Sequence, residues 1–188
     1  LADYAQQYYQ HVAAFPTYVS AIHAKCDDQS TRKILLNNLI DEEGGSPNHP
    51  ELWLNFAEGV GVSAPDAQNA EKWPETKTLI DTFRSVCRDG STAQGLAALY
   101  AYESQIPAIC ESKIDGLKKY YAFADPKQYE YFSVHIEADA EHSAAEQRLL
   151  AGYVGNQNLE SVRASVNRVL DALWEMLSGV CRRHAIAC

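Results

Sequence analysis

The hydrophobic positions of the chain recur at helical spacing, and strand signals are nearly absent. Ile34, Leu35, Leu39 and Ile40 stand at the three- and four-residue intervals of a buried helix face. β-Branched runs are few, and no Asn-Gly pair marks a hairpin. The pattern predicts an all-α fold, a bundle of about seven to eight helices.

Prolines, glycines and capping residues divide this pattern into segments. Proline is accepted in the first turn of a helix, and Pro16 either kinks or splits the first segment. The predicted segments run from residue 1 to about Lys25, from the caps Asp27, Asp28 and Ser30 to Gly44 and Gly45, over ELWLNFAEGV after Pro50, from Pro74 to about Cys87, from Ser91 or Thr92 to about Gln105, from Pro107 to about Tyr121, from Asp125 and Pro126 to about Tyr153, and from about Leu159 to His184.

We expect one domain over residues 1–188, without repeats or an interdomain linker. The chain starts inside a helical pattern, with no cap and no initiator Met, so we expect the natural protein to extend further upstream.

Composition narrows the function classes. With 46% hydrophobic residues in 188, the chain is long enough for a substantial core. A net charge of −9 and the lack of any Lys or Arg run argue against a nucleic-acid or anionic-membrane surface. No apolar run approaches the roughly 20 residues of a membrane helix, and the start does not resemble a signal peptide.

The five cysteines are odd in number and form no C-x-x-C pair. Cys26, Cys87, Cys110, Cys181 and Cys188 are therefore expected to be small buried or surface thiols in a reducing cytoplasm.

The longest predicted helix carries a polar stripe. His135, Asp139 and His142 stand at i, i+4 and i+7, within an arc of about 60°. Ala138 and Ala145 flank the stripe and leave room between helices. The i, i+3 spacing of Asp139 and His142 is used by carboxylate-bridged dimetal bundles. A solvated polar face is the alternative interpretation of this helix.

A second candidate lies at the end of the second segment, where Asp41, Glu42 and Glu43 precede two glycines. Carboxylates are disfavoured there because the helix C-terminus is partially negative. The helix break after Glu43 allows the chain to bring His49 back beside Glu42. A divalent cation bound there would remove the electrostatic cost of the carboxylates at the helix end. We expect Asp41 and Glu43 to reach solvent or a cap. The alternative is an exposed acidic end with a loop histidine.

Glu103 is the third candidate, since it follows the apolar stretch GLAALYAY. A buried carboxylate is costly unless it is paired or bound to metal. Lys113 is the nearby base with which it would otherwise pair. Together, three histidines and three carboxylates suit two ions of near-octahedral geometry, and they favour iron or manganese. The set contains no cysteine, which argues against structural zinc.

The whole chain resembles a known protein family, and four stretches carry most of that resemblance. They are YYQHVAAFPTYVSAIHAKCDD, LLNNLIDEEGGSPNHPELW, ALYAYESQIP and HIEADAEH. The chain resembles the haem-oxygenase-like dimetal oxidases, more closely the subgroup of the chlamydial protein associating with death domains. That subgroup is related to pyrroloquinoline-quinone synthase C and the TenA thiaminases. The family pattern Glu-x6-His, Glu, His-x3-Asp-x2-His falls on Glu42, His49, Glu103, His135, Asp139 and His142. The likeness to TenA is weaker, because the full ligand set belongs to the metal enzymes. We therefore interpret Cys110 as a buried thiol and not as a thiaminase nucleophile.

The resemblance implies a para-aminobenzoate synthase for folate biosynthesis that uses an Fe/Fe or Fe/Mn pair, O2 and a reductant. It implies that the carbon substrate is a tyrosine of the protein itself and that a lysine, at the position of Lys113, supplies the nitrogen. Tyr4 and Tyr102 are candidates for tyrosines near the metals. The sacrificial tyrosine of the family falls upstream of residue 1. A homodimer is expected by analogy.

Two other functions remain open. One is a conventional dimetal oxidase of an external small molecule, such as a fatty acid or amino-acid derivative, or a relative of pyrroloquinoline-quinone synthase C. The other is a helical interaction protein with a vestigial site, against which the intact ligand set argues.

Overall fold

Helices make up all the regular secondary structure in residues 1–187, the part of the chain that the computed structural model describes. Ten α-helices and one 3-10 turn fall within these residues. They are α1 (Ala2–Val12), α2 (Phe15–Lys25), α3 (Gln29–Glu43), α4 (His49–Gly59), α5 (Ala64–Asn69), α6 (Pro74–Asp89), α7 (Thr92–Glu103), α8 (Ile106–Tyr121), the 3-10 turn (Pro126–Tyr129), α9 (Glu130–Tyr153) and α10 (Leu159–Arg183). The all-α prediction is confirmed. Every predicted segment is present, and the first is split in two ahead of Pro16.

Two details differ from the sequence-based expectation. The short helix α5 was not predicted, because six residues hold too little hydrophobic periodicity to be recognised. The seventh predicted segment starts as a 3-10 turn over Pro126–Tyr129, capped by the Asp125 side chain, and only then continues as α9.

Capping side chains fix where the helices begin. Oδ2 of Asp28 accepts from the backbone N–H of Thr31 at 2.7 Å and starts α3. Asn48 and Glu51 form a reciprocal capping box at the start of α4. Ser91 and Gln94 do the same for α7. The local sequence thus sets the ends of the helices that carry the site.

The core is built around α7 and a cluster of aromatic rings. Helix α7 packs against α2, α6, α9 and α10. Its contact with α2 is close: a Cβ at Gly95 would lie 2.7 Å from Cγ1 of Ile22. The largest fully buried aromatic side chains in the described residues are Trp53, Tyr18, Phe56, Phe83 and Phe132. Nε1 of Trp53 donates to the carbonyl oxygen of Ala5 at 2.8 Å, which ties α4 to α1.

Helix α9 brings the site together, because it packs against α3, α4, α7 and α8. Along residues 1–187, no helix has both the length and the apolar content to cross a bilayer. Cys26, Cys87 and Cys110 are buried free thiols and Cys181 is a partly exposed one, as expected. Cys188 lies outside the described residues.

Candidate metal centre

Four helices each contribute to one buried cluster of histidines and carboxylates. The structure places all six predicted ligands there: Glu42 near the end of α3, His49 at the start of α4, Glu103 at the end of α7, and His135, Asp139 and His142 on α9. Glu103 has no exposed surface. The burial of the three α9 side chains rules out the solvated-face interpretation of that helix.

The cluster contains two overlapping groups of potential ligands. In one group, single ligand atoms of Glu42, His49 and His135 lie within 4.8 Å of one another. In the other, atoms of Glu42, Glu103 and His142 do so. Asp139 adjoins the second group, with its Oδ1 3.8 Å from Nδ1 of His142. Glu42 belongs to both groups and is the residue that they share.

The chain break after α3 does bring His49 back to Glu42. Nδ1 of His49 lies 3.0 Å from Oε2 of Glu42. The two atoms are close, but they do not have hydrogen-bond geometry, and Nδ1 has no other partner. His49 is the first residue of α4 and not part of the loop, because the capping box at Asn48 starts the helix there.

Unpartnered polar atoms concentrate in this cluster. Buried polar atoms in proteins nearly always have a hydrogen-bond partner. Apart from Nε2 of His11, every buried side-chain N or O atom without a partner in residues 1–187 lies here: Asn38 Oδ1, His49 Nδ1, Glu103 Oε2, Asp139 Oδ2, His142 Nδ1, and both Oε atoms of Glu146. Most of these atoms are oxygens or nitrogens with a lone pair that can bind a cation. A cation would satisfy them, so the residues fit a metal centre.

The outer nitrogens of two histidines are fixed by oxygen acceptors. Nδ1 of His135 donates to the carbonyl oxygen of Tyr131 at 2.6 Å, which leaves Nε2 free to bind. Nε2 of His142 donates to Oδ2 of Asp41 at 2.9 Å, which turns Nδ1 toward Glu103 and Asp139. Metal-binding histidines usually have such a partner on the other nitrogen.

The contact of Asp41 with His142 corrects one expectation. Asp41 does not simply reach solvent or a cap, although its side chain is 55% exposed. Glu43 is exposed, as expected. The three acids at the end of α3 thus differ: one is buried in the cluster, one holds a histidine and one is solvated.

The electrostatics of the cluster also suit a cation. Burial, with the charges of Glu103 and Glu42, raises the pKa of the Asp139 carboxyl to about 7, against the lowering effect of His142. Burial would lower the pKa of His142, but its contacts with Asp139, Glu103 and Asp41 outweigh burial and raise that pKa to about 11. Burial lowers the pKa of His135 to about 3. A metal ion would supply the positive charge that a proton on His142 otherwise provides.

Lys113, Tyr4 and Tyr102 lie beside the cluster, not in it. Nζ of Lys113 donates to the hydroxyl of Tyr4 at 2.5 Å. It also lies 5.3 Å from the ring centroids of Tyr8 and of Phe132. Lys113 therefore does not serve as the buried partner of Glu103, whose Oε1 instead accepts from Nδ2 of Asn38 at 3.2 Å.

Tyr8 links these residues to the cluster. Its hydroxyl lies 2.8 Å from that of Tyr102, and its ring centroid lies 5.3 Å from that of Tyr4. Tyr102 in turn lines a cavity of about 10 Å³ with Glu42, His135 and Asp139 among its walls. Burial raises the pKa of Tyr4, Tyr8 and Tyr102, so the phenols stay protonated. The structure therefore shows a continuous path of side chains from Lys113 to the cluster.

Sequence reasoning missed several side chains of this site. Tyr8 stands one helical turn after Tyr4, and Glu146 one turn after His142. This one-turn spacing places each of them on the same helix face as a residue already singled out, so both could have been predicted from the sequence. Tyr131 likewise stands one turn before His135, whose Nδ1 donates to its carbonyl oxygen. Asn38 and Asp41 carry no such signal, because their contacts with Glu103 and His142 depend on how helices pack. The thiol of Cys110 is buried, and burial raises its pKa to about 12, which suits packing and not nucleophilic attack.

A groove of about 750 Å³ between α3 and α9 connects the cluster with solvent. Asn38, Asp41, His142 and Glu146 are among its walls. A smaller cavity of about 190 Å³ has Tyr4 and Lys113 in its wall. The groove and this cavity share no wall residue.

Comparison with known proteins shows the family of this chain. The chain belongs to the family described as iron-containing redox enzymes, whose model matches residues 2–174. It is 46% identical over 178 residues to the 4-aminobenzoate synthase of Chlamydia pneumoniae, covering 95% of this chain and 79% of that protein. It is 28% identical over 189 residues to the pyrroloquinoline-quinone synthase of Pseudomonas entomophila, covering 97% and 73%.

The fold also matches solved structures. A domain of unknown function with a heme oxygenase-like fold from Shewanella denitrificans superposes with a TM-score of 0.84 at 18% identity, over 98% of this chain and 78% of that one. A TenA homologue from Pseudomonas syringae gives 0.81 at 21% identity, over 93% and 76%. The expected haem-oxygenase-like fold and family resemblance are confirmed. The family assignment also favours an oxidoreductase over an interaction protein with a vestigial site.

Proposed function

We propose that this chain is an O2-activating dimetal oxygenase that makes 4-aminobenzoate, with the nitrogen taken from Lys113 and the ring from a tyrosine of the protein itself. One observation carries the proposal: a buried cluster with two overlapping ligand groups adjoins a path of phenols that ends at an amine. The name of the Chlamydia pneumoniae relative supports the product.

The residues that would hold the two ions are the six of the cluster. Glu42 with His49 and His135 suits one ion, and Glu42 with Glu103 and His142 suits the other, with Asp139 beside the second. Imidazole and carboxylate together favour iron or manganese, as an Fe/Fe or Fe/Mn pair. When bound, the ions would supply the redox chemistry that activates O2 in the presence of a reductant.

The surrounding side chains position the reacting groups. Tyr4 accepts a hydrogen bond from Nζ of Lys113, which holds the amine beside aromatic rings. Tyr102 and Tyr8 fill the space between that amine and the cluster. Val12 and Phe15 line the small cavity at the cluster and limit water there. Such fixed placement replaces a collision with a reaction between neighbours.

Isotope labelling tests the origin of the product. The protein is prepared once with 13C-ring tyrosine and once with 15N-lysine, loaded with iron or iron plus manganese, and given reductant and O2. We expect 4-aminobenzoate that carries both labels, in no more than one equivalent per chain. Product without either label, or repeated turnover on an added small molecule, would reject self-sacrifice.

A matched pair of variants tests the amine. Lys113→Ala should keep the metals and lose the product. Lys119→Ala removes an exposed lysine from the same helix and should behave as wild type. Equal product from both variants would remove Lys113 from the proposal.

The groove between α3 and α9 favours a second candidate, a conventional oxidase of an external small molecule. Its volume of about 750 Å³ is large enough for such a substrate. This candidate predicts catalytic turnover with no mass change at Lys113 or at any tyrosine. The proposal also includes a homodimer, which the mass in solution would test.

A further inference from the structure

Glu146 is a buried carboxyl with no hydrogen-bond partner. It is only 2% exposed, and neither of its oxygens has a partner in the described residues. Nothing in the six-residue ligand pattern includes it. A carboxyl in this position is expensive unless something compensates for it.

Its place on α9 puts Glu146 with the ligands. It follows His142 by four residues and Asp139 by seven, so it lies about 20° from His135 around the helix axis and inside the same arc of about 60°. Glu146 shares the groove between α3 and α9 with Asn38, whose Nδ2 donates to Oε1 of Glu103, and it lies close enough to Glu103 for the two carboxyl groups to interact. The other oxygen of Glu103 has no partner. Two carboxylate groups next to each other must share a proton or a cation.

The groove between α3 and α9 shows how an ion would arrive there. Glu146 lines this groove together with His142 and Asn38. Asp41 also lines it and is largely exposed. A hydrated cation in the groove would meet an acid at the exposed wall and a second acid deeper in.

We propose that Glu146 is a seventh ligand of the metal centre and that it binds the ion held by Glu103 and His142. The inference rests on the proposed dimetal function. The second group would then include carboxylates from three helices, Glu42 of α3, Glu103 of α7 and Glu146 of α9. Oxygen-rich coordination of this kind suits manganese or iron better than zinc.

Metal titration tests the assignment without reference to activity. Metal-free wild type, Glu146→Gln and Glu137→Gln are titrated anaerobically with Mn²⁺ and with Fe²⁺ against a chromophoric chelator. Glu137 is exposed on the same helix, so its variant makes the same change of charge away from the groove. We expect two ions per chain for wild type and Glu137→Gln. In Glu146→Gln, one ion should bind at least roughly tenfold more weakly.

The Glu146→Gln variant also distinguishes two roles of Glu146, metal ligand and hydrogen-bond donor to Glu103. A protonated Glu146 would only donate to Glu103, and the amide of Gln would do the same. Unchanged affinity in Glu146→Gln, with two ions still bound, would overturn the inference and leave the proposed function intact. Failure of wild type to bind any ion would overturn both.

Thermal unfolding of the metal-free proteins gives an independent readout. Removing one acid from a crowded group should leave the midpoint of Glu146→Gln equal to wild type or higher. If that variant does not fold, Glu146→Asp keeps the charge and withdraws the carboxylate by one methylene. Glu146→Asp should then weaken the same ion, and wild-type affinity in it would overturn the inference.

Discussion

Nε2 of His142 donates a 2.9 Å hydrogen bond to Oδ2 of Asp41, and this contact joins the exposed end of α3 to the buried stripe of α9. It fixes which nitrogen of His142 faces the cluster. Asp41 is one residue from Glu42, so a single helix end supplies both a potential ligand and the acid that orients another. Under the proposed function, these two roles account for Glu42 and Asp41 at a helix end that disfavours acids, while Glu43 is solvated.

The role of Asp41 can be tested with its neighbour as control. Asp41→Ala should weaken metal binding by roughly 10- to 100-fold, because His142 loses the partner that fixes its ring. Glu43→Ala removes an exposed acid two residues away and should bind metal as wild type does. Equal affinity of the two variants in a metal titration would show that the Asp41 contact has no role in binding.

Glu42 and Glu103 are expected to differ in how many ions they affect. Glu42 belongs to both ligand groups, whereas Glu103 belongs to one. Glu42→Gln should therefore lose both ions, and Glu103→Gln only one, as measured by metal content per chain. Loss of a single ion in Glu42→Gln would contradict a shared carboxylate.

The metal-free stability of Glu42→Gln tests the electrostatics of the helix end. Removing a carboxylate from a helix C-terminus should gain about 0.3–1 kcal/mol, and repulsion within the cluster falls as well. The lost contact with His49 acts in the opposite direction. We expect denaturant unfolding to show a variant at least as stable as metal-free wild type. A strongly destabilised variant would show that the pair with His49 outweighs the helix-end effect.

The fold could be predicted from the sequence because helical spacing is a local property, whereas the full six-residue pattern came from the family resemblance. Helical periodicity, prolines and caps define the segments, and the i, i+4, i+7 stripe of α9 is a local signal as well. The contacts of Asp41 with His142, of Tyr8 with Tyr102 and of Glu146 with Glu103 join residues far apart in the chain. The geometry of these three pairs depends on how α1, α3, α7 and α9 pack, and local sequence patterns do not predict that packing. The helix α5 was missed for a different reason, because six residues are too few to show a hydrophobic periodicity.

Trp53 is expected to hold α4 and α1 together. Its side chain is fully buried, it donates to the carbonyl oxygen of Ala5, and its ring stacks on that of Tyr8 at 4.9 Å. Trp53→Phe should lower the free energy of unfolding by about 1–3 kcal/mol, because the indole hydrogen bond to Ala5 and part of the ring packing are lost. Trp174 is 64% exposed, and Trp174→Phe should change stability by less than about 0.5 kcal/mol. Equal effects in denaturant unfolding would contradict this role of Trp53.

His11 should make the protein sensitive to acid. The imidazole is fully buried among aromatic rings, its Nδ1 lies 3.4 Å from the hydroxyl of Tyr18, and its Nε2 has no partner in the described residues. Burial lowers its pKa from 6.5 to about 3. Between these two pH values the unfolded chain binds a proton at His11 and the folded chain does not. The stability that a neutral His11 allows is therefore complete above about pH 6.5 and is lost as the pH falls toward 3.

His11→Phe tests this contribution, since a phenyl ring suits the aromatic surroundings and does not titrate. For metal-free protein, the free energy of unfolding is measured at several pH values from 8 to 4. Wild type should lose stability more steeply than the variant below about pH 6.5, by up to about 1.4 kcal/mol per pH unit. Above pH 7 the difference between the two should be constant, which serves as the internal control. Parallel curves over the whole range would show that His11 takes up a proton in the folded protein as easily as in the unfolded chain.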